Sequence, residues 1–478
     1  MTIVTIMFDV EDLVNPPSDD IAKDLAELLT ERGLQATMMM VGEKVRLLVQ
    51  RGRHDVIASL SGHDIGLHSN THSVHPSVAE YLEHCDWEDG WAEAGRREFP
   101  GLRTIREVFG RIPSCWGQPG ASWGPQIMPA VKQMGIPSVV YSHTRVPGAD
   151  VHWYCDVLTY SDDNCLEGFD FVYSNDEAFE RQLSVTTERL GDMISRGVPW
   201  VELFAAHPST VRACTFWDQM NFRAGWNCPP EHYWLSPLKS DAEYATALRN
   251  AGRLIDRIAS MPGVQVRTIA ETNERFGEQV DEITWSRLVE VAEEVVETGR
   301  ILLPRCEISP AETLDLVCRG LCQLEQGIQP ESLRRRYVRG PNAMPTDEFS
   351  ECDIAWAPFM ESVSQLLRQI DSESAIPPAS TWSVIPRDLE IGDTVVGVGS
   401  MYRALCGAFL RRTSGVTVES VHIVPGTQLP ETADTIGRSV GEYIKEWGTH
   451  RRDLDPSRIV LYTKLQTWTL KAATATNR

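Results

Sequence analysis

The sequence predicts a parallel α/β domain over its first half, followed by a mainly helical region. Three observations carry this. Short apolar runs alternate with amphipathic stretches from residue 2 to about 269, as strands and helices do in parallel α/β folds. Polar, chemically active side chains stand where those apolar runs end, the place such folds use for their sites. From about residue 278 the pattern becomes helical, with valines at 289, 291, 295 and 296.

Thr2-Ile3-Val4-Thr5-Ile6-Met7-Phe8 reads as a strand and runs into Asp9-Val10-Glu11-Asp12. Side chains alternate along an extended chain, so Asp9 and Glu11 share a face and Asp12 points away unless the strand has turned. Pro16, Pro17, Ser18, Asp19 and Asp20 supply a stop and cap for a helix over 21–32, closed by Gly33. A strand at 35–41, helical stretches at 43–50 and up to residue 60, and a strand at 64–67 follow. Directly after comes His68-Ser69-Asn70-Thr71-His72. Two imidazoles four apart, on a turn of helix or a helix-like loop, face one point and can bind one divalent cation. Two carboxylates on one face and this pair together make up what a metal hydrolase requires: ligands, an open coordination position and a base.

The pattern continues with a helix running toward Phe109, a strand at 136–142, a helix over 176–196 and an apolar strand that ends on His207. Residues 216–230 are too rich in Trp, Asn and Gly for a regular element and read as a binding loop. A helix at 241–260 and a strand at 264–269 close a first domain, 1–276. The second, 277–478, shows helices at 286–298, 309–323, 354–370, 400–411 and 432–447, with a Pro-rich connector at Ile376-Pro377-Pro378. It carries no catalytic constellation and reads as a packing, oligomerisation or ligand-binding module. Cys318 and Cys322 read as two apolar positions on one helix face.

At 478 residues and 42% hydrophobic content the chain has material for more than one core. A net charge of −22 disfavours nucleic acid and anionic membranes as partners. No apolar run is long enough to span a bilayer, and the chain enters its first strand with no leader-like pattern. The 11 cysteines are scattered and odd in number, which fits reduced thiols. The expectation is a cytoplasmic protein.

Three segments carry a family resemblance. Thr5-Ile6-Met7-Phe8-Asp9-Val10-Glu11-Asp12, Ala36-Thr37-Met38-Met39-Met40-Val41-Gly42 and Gly62-His63-Asp64-Ile65-Gly66-Leu67-His68-Ser69-Asn70-Thr71-His72-Ser73-Val74-His75-Pro76 stand in the order and spacing of the polysaccharide deacetylase motifs. The chain thus resembles the NodB-homology family, the family 4 carbohydrate esterases, over roughly 1–276. That resemblance implies a distorted (β/α) barrel, a divalent metal and hydrolysis of an N-acetyl or related amide. Zinc is the first expectation for the metal, with cobalt, manganese or nickel as alternatives.

Carried onto these positions, the resemblance implies Asp9 as general base, His207 as general acid, and His68, His72 and Glu11 as ligands. Asp12 is the alternative third ligand, because Val10 separates the two acids that the family places side by side. Ile112 to Trp123 resembles the family's Phe-Arg-x-Pro-x-Gly strand and loop, with Gly117 in place of the arginine and Arg145 as a substitute for it from elsewhere. Trp116, Pro119, Gly120, Trp123, Trp153, Trp217 and Asp12 are the expected substrate wall. The expected partner is a small N-acetylated amino sugar, oligosaccharide or similar amide, with a homo-oligomer formed through the second domain. A cyclic amide or ureide hydrolase of the allantoinase-like branch is the alternative, and a non-catalytic glycan-binding protein is the alternative of another class.

Overall fold

Nine consecutive buried residues, Thr2–Val10, form the central strand, β1, of the computed structural model, which describes residues 1–346, 349–372 and 383–475. A strand buried on both faces is written as a nearly unbroken apolar run, and β1 is one. Its neighbours follow the chain: β2 (Thr37–Met40), β3 (Asp64–Leu67), β4 (Trp116–Gly117), β5 (Ser138–Ser142), β6 (Val151–Tyr154), β7 (Val157–Ser161), β8 (Cys165–Leu166), β9 (Trp200–Ala206) and β10 (Val264–Val266). The sheet runs β6-β7-β5-β4-β3-β2-β1-β9-β8, with β10 beside the start of β1. Apart from β6, which is antiparallel to β7, these pairings are parallel. The fold is therefore an incompletely closed, curled (β/α) barrel, with its open edges at the β6 and β8 ends of the sheet.

Parallel order has one consequence for the site: all carboxyl ends lie at one rim. Asp9 at the end of β1, His68 just after β3, Tyr141 in β5 and His207 just after β9 are brought to that rim by pairings, not by nearness in sequence. The helices start and stop for legible reasons. Pro17 opens Pro17–Thr30, and the Asn175 side chain accepts from the Ala178 amide to cap Asp176–Ser195. Gly110, at φ 70°, ends the 23-residue helix Trp87–Phe109 in a conformation that favours glycine.

Beyond residue 276 the described helices include Trp285–Thr298, Pro310–Glu325, Trp356–Ser372 and Val398–Thr413. Short strand pairs join them, among them Glu282–Thr284 with Ser332–Arg334 and Cys352–Ala355 with Ser420–Ile423. Cys318 is buried and Cys322 half-buried on Pro310–Glu325, both as free thiols. The Pro-rich connector at 376–378 lies outside the described residues.

The end of the chain leaves this second core and returns to the first. Ile436, Val440, Ile444, Ile459, Tyr462, Leu465 and Leu470 pack in one hydrophobic cluster with Val4, Ile6 and Phe8. The strand Lys471–Ala472 pairs antiparallel with β6 and becomes the last strand of the barrel sheet. Lys471 also ties back to the second core, its Nζ donating to Glu312 at 2.7 Å in a buried ion pair. Among the described residues no helix is long and apolar enough to cross a membrane.

Candidate active site

A cavity of about 750 Å³ opens at the carboxyl rim, lined by Asp9, Glu11, His68, His72 and His207 together with Gln118, Gly120, Tyr141, Asp218, Trp447 and others. His68 and His72 do meet, with ring centroids 4.9 Å apart. They do so on a turn, not on a helix: Ser69 and His72 have φ of 60° and 51°, and two left-handed residues fold the backbone back within five positions.

The Glu11 carboxylate stands between them. Its Oε2 is 3.1 Å from His68 Nε2 and 2.9 Å from His72 Nε2. The three ligating atoms lie within 4.8 Å of one another. The Ser73 hydroxyl donates to Asp218 Oδ2 at 2.7 Å and accepts from His72 Nδ1, also at 2.7 Å. That bond places the imidazole hydrogen on Nδ1 and leaves the buried Nε2 without a hydrogen-bond partner, a lone pair turned on a carboxylate oxygen. The indole of Trp217 donates to Glu11 Oε1 at 2.8 Å and fixes the carboxylate. Two imidazole nitrogens and a carboxylate oxygen in this arrangement fit one divalent cation, the two-histidine, one-carboxylate set of zinc hydrolases.

Asp9 lies against this set, with Oδ2 3.3 Å from His68 Nε2. Burial raises its pKa against the opposing pull of His68 and His207. Glu11 is desolvated too, but His72, His207 and the hydrogen bond with His68 outweigh burial and hold it well below the usual range. His207 Nε2 is 3.9 Å from Asp9 Oδ2 and 3.8 Å from Glu11 Oε1. Its Nδ1 donates to Asp170 Oδ2 at 2.7 Å, which aims Nε2 at the two acids. Burial disfavours the imidazolium, yet Glu11, Asp170 and Asp9 together lift His207 to about 10.

The loss of the motif arginine has a structural answer. The Tyr141 hydroxyl donates to Asp9 Oδ1 at 2.7 Å. A Cβ on Gly117 would come within 3.0 Å of the Tyr141 ring and 2.6 Å of Met39 Cε, so the tyrosine fills the space beside position 117. Arg145, the expected substitute, instead faces Asp163 at 3.3 Å and lies outside the cavity. Tyr141→Phe keeps the ring and removes the donor. We expect kcat to fall about tenfold with KM nearly unchanged, and the acid limb of the pH profile to move up, since the lost bond had favoured the Asp9 anion. An unaltered kcat and acid limb would show that the hydroxyl does not position Asp9.

Several expected wall residues are placed elsewhere, each for a packing reason. Asp12 is turned into the backbone, accepting from the Val14 and Asn15 amides at 2.8 and 2.9 Å, so it is neither a ligand nor in the cavity. Trp116 is fully buried and donates to Glu98 at 3.1 Å. Trp123 packs near Tyr154 in the core, Trp153 packs with Ile3 and Met7, and Pro119 is buried behind the rim. Trp217 serves Glu11 from behind instead of facing a ligand. Of the expected wall, Gly120 lines the cavity.

The indole that does line it is Trp447, the last residue of the helix expected over 432–447 in the second domain. A Cβ on Gly120 would strike the Trp447 ring at 2.6 Å, and the indole stands edge-on to His72 with centroids 5.9 Å apart. Tyr443 donates to the Gly120 carbonyl at 3.3 Å. Sequence reasoning also missed Tyr141, Asp170, Ser73 and Asp218. Ser73 and Asp218 sat inside segments already singled out; Asp170, 37 residues before its partner, carried no local signal.

No family model matches this sequence, and no curated protein matches it. Among solved structures the chain is similar to a family 4 carbohydrate esterase from Streptomyces lividans, at 15% identity over 55% of this chain and 91% of that one, with a TM-score of 0.29. It is similar to a probable polysaccharide deacetylase from Pseudomonas aeruginosa PAO1, at 11% identity over 57% and 91%, with a TM-score of 0.38. It is also similar to the peptidoglycan deacetylase PdaC from Bacillus subtilis, at 11% identity over 62% and 96%, with a TM-score of 0.28. The likeness to each of these three proteins thus spans 55–62% of the present chain.

Proposed function

We propose that this chain is a metal-dependent hydrolase of a carbon–nitrogen amide bond, acting on an N-acylated amino sugar or a related small amide. The observation that carries the reading is the convergence of His68, His72 and Glu11 on one point, with Asp9 and His207 within 4 Å of that set. His68, His72 and Glu11 would hold a divalent cation, zinc by the chemistry of the donors, and when bound it would polarise the amide carbonyl and acidify water.

The chain's own groups move the protons. Asp9 accepts one at Oδ2 from the attacking water, with Oδ1 held by Tyr141. His207, protonated through neutral pH, gives one from Nε2 to the leaving nitrogen, and Asp170 holds the ring for that transfer. The carbon–nitrogen bond breaks, and the products are a carboxylic acid and an amine. A cavity of about 750 Å³ whose wall includes Tyr443, Trp447 and Thr449 supports a small substrate over a long polymer. All 11 cysteines are free, which supports a reducing compartment.

The test is metal content by elemental analysis, followed by acetate release from a panel of N-acetylated amino sugars and amines and ring opening of cyclic ureides. One equivalent of metal with turnover of a soluble N-acetyl compound is expected. Metal-loaded protein that opens none of these amides would remove the proposal.

A further inference from the structure

On the β8 side of the sheet the wall of the same cavity changes character. Asp162, Cys165 and Glu167, in β8 or close beside it, and Glu202 on the neighbouring β9 line this part of the cavity, the seam lobe. Among the described residues that line the cavity, the one lysine or arginine is Arg223, from the loop after β9. Asp162 is met by His143 at 3.0 Å, and Glu167 is exposed.

Glu202 is the unusual member. It faces inward on β9, paired in register with Thr5 and Cys165, on the side that carries Trp200 and Phe204. It is fully buried, and neither carboxyl oxygen has an N–H or O–H partner. The Cys165 thiol beside it is only a weak donor. Burial first, then the negative charges of Asp9, Asp162 and Glu167, hold its pKa well above the usual range. A buried carboxyl without a donor is costly, and an apolar side chain would fill the same volume of the barrel without that cost. What Glu202 lacks, among the described residues, is an ion-pair or hydrogen-bond partner for either oxygen.

We propose that the seam lobe, lined by the buried Glu202, receives a cationic group of the substrate, so that the preferred amide is an N-acylated amine carrying a second, free amino group. An ammonium in the lobe would supply the donor that Glu202 lacks and offset the acids around it. Two sources share that chemistry: an aliphatic diamine acylated at one end, and an amino-sugar disaccharide with one free and one acetylated amine. The inference rests on the hydrolase reading for the word substrate, and its test is a binding measurement that does not need turnover.

Titration calorimetry of the full chain compares cadaverine with hexylamine, in which a methyl group replaces the second ammonium. Cadaverine is expected to bind about tenfold tighter, as one charge-assisted contact provides, and Glu202→Gln is expected to bring the ratio to about one. Gln is nearly isosteric with the neutral acid, and circular dichroism checks that the variant is folded. Should it not fold, the double variant Asp162→Asn with Glu167→Gln tests the rim of the lobe, with the ratio again expected to fall. A ratio near one in the unaltered protein, or one unmoved by these changes, overturns the proposal. Turnover then assigns the source: preference for N-acetylcadaverine over N-hexylacetamide marks the diamine, and preference for glucosaminyl-N-acetylglucosamine over diacetylchitobiose marks the sugar. If no amide is hydrolysed, the functional reading fails while the binding ratio still decides the lobe.

Discussion

His72→Ala should purify as a folded protein with less than about a tenth of an equivalent of divalent metal and with activity down by about a thousandfold or more. Two features make the effect large. His72 Nε2 is one of three convergent donors, and its hydrogen-bond chain through Ser73 to Asp218 has no purpose once the ring is gone. The ring lies against Trp217 and Trp447 and not deep in the apolar core, so its loss removes binding more than packing. His68→Ala should behave in the same way. Elemental analysis beside far-ultraviolet circular dichroism is the check; a folded variant that keeps a full equivalent of metal would mean that the ligands lie elsewhere.

Asp9→Asn should do the opposite with metal, retaining it, and still lose between about a hundredfold and ten thousandfold in kcat, the range for removal of a general base. The pH profile separates the roles. Asp9 accepts a proton only as the anion and its pKa is raised, so the rate should climb as pH rises through that value. His207 donates only as the imidazolium, so the rate should fall as pH rises through the upper limb that His207 sets. In Asp9→Asn the acid limb should vanish and the alkaline limb remain. Loss of metal in that variant would exchange the roles of Asp9 and Glu11.

Which parts of this were legible in the sequence follows from how each residue acts. Asp9, Glu11, His68, His72 and His207 stand at the ends of apolar runs, and a parallel sheet gathers all such ends at one rim. Strand order was not legible in the same way, since β10 beside the start of β1 and the closing strand from residue 471 are long-range pairings. The tryptophans misled for a physical reason: an indole fills a core as well as it stacks on a ligand, and Trp116, Trp123 and Trp153 took the first use. Asp12 misled because a carboxylate at a strand end serves a tight turn as readily as a metal. Asp170 and Tyr141 act on partners 37 and 132 positions away, and no spacing rule could have announced them.

The return of the chain's end to the first core sets a timetable. Thr449 reaches Asp218 across 231 positions, and Trp447 roofs a site whose first acid is residue 9. Contacts of such separation form late in folding, after the chain entropy between them has been overcome. During synthesis the acids and histidines can gather as soon as β9 has emerged, but the aromatic roof and the last strand of the sheet are still to be made. A nascent chain would therefore hold the cluster of histidines and carboxylates with an open roof until residues 443–449, and then the strand at 471–472, have emerged.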